Sequence, residues 1–272
     1  MPNCQLPGYP ATYNYASTLN YVPAIGQLWA CGGYNMADAN KCWAFDGSSW
    51  TPLPDSGQQH CWFFTPNTLV PERGWWITGR AQVADIACRE ELTSEVYSTA
   101  GWATGPTLPF DFSDMYCVVQ LNTSHSLVAG GDPSWSETWL YNWDTELWTQ
   151  SGSLNAGRYR HACIVLEGGQ GVLMVGGLDE DYEPTYVVEL YDPTTGSWAE
   201  QPSLSEDIIG DRPTLLNWQG AVIGVFEGDQ VFRRGDDGDW TPLEGVRLPE
   251  MFEGYKNDKA VLVPDAFAAG CM

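Results

Sequence analysis

The chain has 272 residues, 43% of them hydrophobic, with 29 Gly, 14 Trp and a formal net charge of −23. Only 12 Lys and Arg stand against 35 Asp and Glu, so the clustered basic surface that a phosphate backbone requires is missing and no nucleic-acid partner is expected. No apolar run approaches the ~20 residues that span a bilayer, so no membrane insertion is expected either.

The first ten residues, MPNCQLPGYP, lack a signal-peptide pattern and read as the start of a mature chain behind an initiator Met. From there the chain is a series of short β-type runs punctuated by glycine turns. Thr18 to Val22 reads as a strand. Leu28-Trp29-Ala30-Cys31 follows and ends in Gly32-Gly33, and Phe45 leads through Asp46-Gly47-Ser48-Ser49 to Trp50. Trp75 to Gly79 is a second copy that has lost one glycine and closes on Tyr97 to Trp102. Leu127-Val128-Ala129-Gly130-Gly131 opens a third, which ends in Tyr141 to Trp148.

The fourth copy is the clearest. His161 to Leu166 is one strand, and Val172-Leu173-Met174-Val175 is the next, ending in Gly176-Gly177. An acidic loop follows, a third run reaches Tyr191, Asp192-Pro193-Thr194-Thr195-Gly196 turns the chain, and Trp198 opens the last strand. The fifth copy, Ala221 to Phe226, has eroded glycines and closes at Phe232 and Trp240. Lys259 to Val263 is one further strand. This pattern leaves no room for a helix. The closing tryptophans at 50, 102, 148, 198 and 240 lie 42 to 52 residues apart.

Four strands in about fifty residues, a glycine pair ending the second and a Trp closing the unit resemble the kelch repeat. The resemblance covers roughly residues 18–245. It implies an all-β, kelch-type β-propeller of four-stranded antiparallel blades, with repeats near 18–53, 59–106, 114–152, 159–202 and 212–243. A single domain over 1–272 is expected, closed by segments 1–17 and 250–272. Five blades are favoured. A sixth stays open if the termini build a composite blade.

Eight cysteines, no C-x-x-C pair and three scattered His point to disulfides in an oxidising compartment rather than to zinc. The sequon Asn122-Thr123-Ser124 marks a glycosylation site consistent with that compartment. The arrangement resembles secreted invertebrate kelch proteins: Cys4 ahead of Leu6-Pro7, Cys31 touching the first glycine pair, and Cys61, Cys117 and Cys163 on inner strands. Connectivity stays open. Under this resemblance the expected pairs are Cys31–Cys42, Cys61–Cys88, Cys117–Cys163 and Cys4–Cys271, in an extracellular protein.

Enzymatic constellations find little support. Galactose oxidase shares the fold but needs two His and two Tyr on copper, and His60, His125 and His161 are scattered. The turn from Asp192 to Trp198 lacks the leading Ser of a sialidase motif. There is no G-x-S-x-G elbow and no phosphate loop. The acidic runs 179–183 and 236–239 do not match a calcium-binding EF-hand. No metal or cofactor is expected, and a propeller glycosidase or oxidase remains only an alternative.

A binding role is the main expectation. Alternate connections of a four-stranded blade emerge on one face, so the second-to-third and fourth-to-first loops would line one mouth of the channel. There the sequence places Arg80, Trp135, Arg158, Arg160, Asp179, Glu180, Asp181, Tyr182 and Arg212. Arginine and aromatic residues are enriched where partners dock. Arg158 and Arg212 have a second reading, because they fall at the start of inner strands, where kelch arginines pair with neighbouring loops. The expected partner is another protein or an extracellular glycan. The alternative is a lectin-like, carbohydrate-binding propeller; such a lectin should repeat its pocket in every blade, and loops as different as DPSWSET and LDEDYEPTY favour one composite site instead.

Overall fold

Runs such as Val172-Leu173-Met174-Val175 place apolar side chains on both faces of a strand, which suits a sheet packed between two others. The computed structural model describes residues 10, 18–32, 38–60, 66–78, 81–82, 88–89, 94–109, 116–208, 212–226 and 230–243. The chain divides into two compact units, one formed by 1–113 with 261–272 and the other by 114–260.

The first unit holds two blades. Blade 1 is β1 (Thr18–Val22), β2 (Gln27–Cys31), β3 (Cys42–Phe45) and β4 (Trp50–Pro52), paired antiparallel in that order. Blade 2 begins with β5 (Asn67–Val70) and β6 (Gly74–Thr78). A small hairpin of β7 (Ala81–Gln82) and β8 (Cys88–Arg89) interrupts it, and β9 (Ser94–Ser98) and β10 (Gly101–Thr104) complete it.

The second unit holds three blades. Blade 3 is β11 (Cys117–Gln120), β12 (His125–Ala129), β13 (Thr138–Asn142) and β14 (Leu147–Gln150). Blade 4 is β15 (Ala162–Val165), β16 (Val172–Val175), β17 (Val188–Asp192) and β18 (Ser197–Gln201). Its first turn carries a short 3-10 segment, Glu167–Gly169. Blade 5 is β19 (Thr214–Trp218), β20 (Ala221–Phe226), β21 (Gln230–Arg234) and β22 (Trp240–Pro242). First strands stand beside first strands: β1 packs on β5, and β15 lies between β11 and β19. The fold class is therefore all-β, of the β-propeller type, with five four-stranded antiparallel blades.

Alternation along each strand sorts the core. In blade 4, Val172 and Met174 face blade 3 and pack with Leu127, Ala129 and Leu154. Leu173 and Val175 face blade 5 and pack with Leu215, Val222 and Phe232. In the first unit, Trp29, Cys42 and Ala44 meet Trp75, Ile77 and Tyr97 in the same way. Each large side chain removed from water in these layers stabilises the fold by about 1.5–3 kcal/mol.

The closing tryptophan has a fixed partner in four blades. Phe45 faces Trp50, Tyr97 faces Trp102, Tyr141 faces Trp148 and Tyr191 faces Trp198 directly across the last strand pair. Their ring centroids lie 4.9 to 5.1 Å apart. Blade 5 breaks the rule. Trp240 lies opposite Arg234, and the ring it meets is Phe226 of β20, at 5.6 Å. Gly224 makes this substitution sterically feasible, because a Cβ there would fall 2.4 Å from the Phe226 ring and 2.9 Å from Trp240.

The turns before these tryptophans share one chemistry. Asp46 Oδ1 accepts the Ser48 and Ser49 amides, Asn142 Oδ1 those of Asp144 and Thr145, and Asp192 Oδ1 that of Thr194. Such side-chain turns compete with helix and strand and fix the reversal. The Ser49 and Ser48 amides hold the Asp46 carboxyl down at about 2.

Cys31 and Cys42 are direct cross-strand neighbours in β2 and β3, with Cα atoms 4.1 Å apart, and form a disulfide. A second disulfide joins Cys117 and Cys163 on the adjacent first strands of blades 3 and 4, with Cα atoms 5.9 Å apart. The pairings Cys61–Cys88 and Cys4–Cys271, and the strand at Lys259 to Val263, fall outside the described residues.

Candidate functional site

The loop entering blade 4 is anchored before it presents anything. Glu189, on β17, is fully buried and accepts the Asn155 amide at 2.8 Å, Asn155 Nδ2 at 2.7 Å and the Ala156 amide at 3.2 Å. Arg158 is also fully buried. Its Nη2 donates to Glu189 at 2.5 Å, its Nη1 to the Val187 carbonyl at 2.5 Å, and its Nε to the Ala156 carbonyl at 3.1 Å. Burial pulls the guanidinium below the usual arginine range, and the Glu189 carboxylate opposes that pull. The Arg158 side chain thus faces inward and its donors serve the fold, in keeping with the reading that pairs this arginine with neighbouring loops.

Blade 2 repeats the device with a histidine in place of the arginine. Glu95, buried on β9, accepts the Gly57 amide at 2.9 Å, the Gln58 amide at 3.0 Å and His60 Nε2 at 3.2 Å. His60 thus occupies the place of Arg158. This buried clasp is absent from the sequence reading, although Glu-x-Tyr recurs at Glu95 to Tyr97 and at Glu189 to Tyr191.

The clasp positions an aromatic cluster at one end of blades 3 and 4. Trp135, in the β12–β13 loop, meets Tyr159 at 5.2 Å between ring centroids and Tyr182 at 6.2 Å. Tyr159 and Tyr182 are 5.8 Å apart, and all three contacts are edge-to-face. Tyr159 is buried, Trp135 partly buried, and Tyr182 is 63% exposed. Gly157 permits the approach: a Cβ there would lie 2.9 Å from Trp135 Cβ and 3.2 Å from Glu180 Oε1.

The loop carrying Tyr182 is closed on itself. Leu178 and Tyr159 exchange amide–carbonyl bonds of 2.8 and 3.0 Å, and the Asp179 amide donates to the Glu183 carbonyl at 2.9 Å. Asp179 Oδ1 accepts the amides of Asp181 and Glu183. Tyr182 sits at φ 64°, a conformation that non-glycine residues adopt only when their surroundings enforce it. Glu180, Asp181 and Glu183 are exposed around it.

Of the residues named from sequence, Trp135, Asp179, Glu180, Asp181 and Tyr182 come together here. Arg160 joins them, with its guanidinium 5.0 Å from the centre of the Tyr159 ring. Arg212 holds the matching position before β19, and its amide donates to the Arg160 carbonyl at 2.9 Å. Arg80 lies outside the described residues. Tyr159 is the member that sequence reading misses; its only signal is its place between Arg158 and Arg160, next to the inner strand.

Asn122 sits in the β11–β12 turn, at the other end of blade 3 from Trp135. It is exposed, and its Oδ1 accepts the amides of Ser124 and His125. His125 is held in the same turn region by Ser124 and Asn142, while His161 precedes β15 at the opposite end. Among the described residues, no group of three or more His, Cys, Asp or Glu could hold a metal ion.

No family model matches the chain. It is 36% identical over 108 residues to Kelch-like protein 6 of Homo sapiens, covering 40% of this chain and 17% of that protein. Over 131 residues it is 29% identical to Kelch-like protein 35 of Mus musculus, covering 48% and 22%. Over 92 residues it is 35% identical to Kelch-like protein 24 of Rattus norvegicus, covering 34% and 14%. The matches thus span less than a quarter of each of these curated relatives. Together, the five four-stranded antiparallel blades and this distant homology to Kelch-like proteins make the fold an all-β propeller that is kelch-like.

Proposed function

We propose that this kelch propeller is a secreted, non-enzymatic interaction module whose protein partner docks on the loops 132–138 and 178–184. Kelch propellers are typically protein-interaction modules, which sets the class of partner. The observation that carries the site is the Trp135–Tyr159–Tyr182 cluster, with Tyr182 63% exposed on a closed loop. A large aromatic side chain offered from a pre-ordered loop loses little entropy on binding, and Trp, Tyr and Arg dominate interface hot spots.

Secretion and glycosylation belong to the same reading. Two disulfides and an exposed sequon asparagine suit an oxidising compartment. Mass spectrometry of protein from its source should find no free thiol and a glycan on Asn122. The docking site is tested by cross-linking in an extract of the source tissue, with the wild-type chain and Tyr182→Ala as baits. A partner captured by the wild-type chain should be lost by Tyr182→Ala and kept by Asn122→Gln. The reverse pattern would place docking at the other end of the blades.

A further inference from the structure

Resting on that docking reading, we infer that the partner presents a basic segment, with a Lys or Arg side chain laid against the exposed ring of Tyr182 beside the partly buried Trp135. Three features converge. Tyr182 is one of few large hydrophobic side chains left in water among the described residues, and it touches Trp135 edge to face. A cation over such a ring is attracted by its electron-rich face. Glu180, Asp181 and Glu183 are exposed on the same loop, and Glu180 Oε1 reaches the Gly157–Trp135 contact.

The whole chain reinforces the local charge. With a net charge of −23, it draws a basic partner in and steers its approach. The same charge repels a second copy of the chain, so self-association is the poorer occupant of this patch. An acidic partner would meet the carboxylates head on. Arg160, 5.0 Å from the centre of the Tyr159 ring, does not reverse this balance, because it is a single cation beside the carboxylates of Asp179, Glu180, Asp181 and Glu183. The aromatic rings supply contact area and the carboxylates select the sign of charge.

The test sorts a displayed library of random short peptides on the full chain and, in parallel, on Tyr182→Ala. Peptides retained only by the wild-type chain should be enriched in Lys and Arg and depleted in Asp and Glu. Their affinity should fall at least about tenfold in Tyr182→Ala, the scale of a hot-spot residue. The combined Glu180→Gln, Asp181→Asn and Glu183→Gln variant should weaken them strongly at low salt and much less at high salt. Tyr182-dependent peptides that are neutral or acidic would overturn the charge assignment while leaving the docking site in place. If no peptide of any charge depends on Tyr182, both the charge assignment and the docking site fall.

Discussion

Replacing Arg158 with Met tests whether this arginine fastens the fold or meets a partner. The side chain is fully buried, and the substitution removes its bonds to Glu189 Oε1, the Val187 carbonyl and the Ala156 carbonyl. Glu189 keeps the amides of Asn155 and Ala156 and Asn155 Nδ2 but becomes a buried charge without a cation. Breaking one side of a buried pair costs about 3–5 kcal/mol. The double variant Arg158→Met/Glu189→Gln removes the stranded charge, so the two changes should be less than additive, with a coupling of about 1–3 kcal/mol. Urea unfolding of the four proteins of the cycle measures both quantities. Binding by whatever fraction stays folded should be unchanged. If Arg158→Met unfolds within about 1 kcal/mol of wild type yet loses its partner, the arginine is a contact residue and the clasp account is wrong.

His161 predicts an acid-sensitive unit. Its ring nitrogens are out of water without a well-formed hydrogen bond, and burial, then the Arg158 charge, lowers it from 6.5 to about 3. The Ala129 and Arg158 carbonyls favour the protonated form but do not offset that shift. Between those values the unfolded chain binds a proton that the folded chain refuses. The stabilisation is therefore complete above about pH 6.5 and is lost on acidification toward 3, with a limiting slope of about 1.4 kcal/mol per pH unit. His161→Phe should flatten the pH dependence of unfolding across that window, and an unchanged slope would contradict the assignment. For the disulfides, the 46-residue separation of Cys117–Cys163 exceeds the 11 of Cys31–Cys42. On the chain-entropy model, removing the first should cost about 4 kcal/mol and the second about 3 kcal/mol, read by calorimetry of paired Cys→Ala variants. A larger loss from the short loop would point to strain or local packing instead.

The blades were legible in sequence because their determinants are local. A glycine pair, an Asx turn and a Trp opposite an aromatic depend on neighbours within one hairpin, and the closing Trp recurs every 42 to 52 residues. Blade 5 shows where that ends: Trp240 takes Phe226 rather than Phe232, since the choice depends on the Gly224 surface and on a register that places Arg234 opposite. The site was half legible for a similar reason. Trp135 and Tyr182 stand out in polar loops, but whether an arginine points inward depends on a carboxylate 31 residues away, as with Arg158 and Glu189. Arg158 and Arg160, two residues apart, serve different surroundings in space, one paired with buried Glu189 and the other set against the Tyr159 ring. The Glu95–His60 clasp was hidden because its second partner is a histidine where blade 4 has an arginine.

Hydrogen exchange of the full chain, with and without the cross-linked partner, tests the docking account most directly. Amides in 132–138 and 178–184 should slow on binding, while the turns at 122–124 and 167–171 at the other end of blades 3 and 4 stay unchanged. Slowing confined to those turns, with the Trp135 and Tyr182 loops unaffected, would contradict the account.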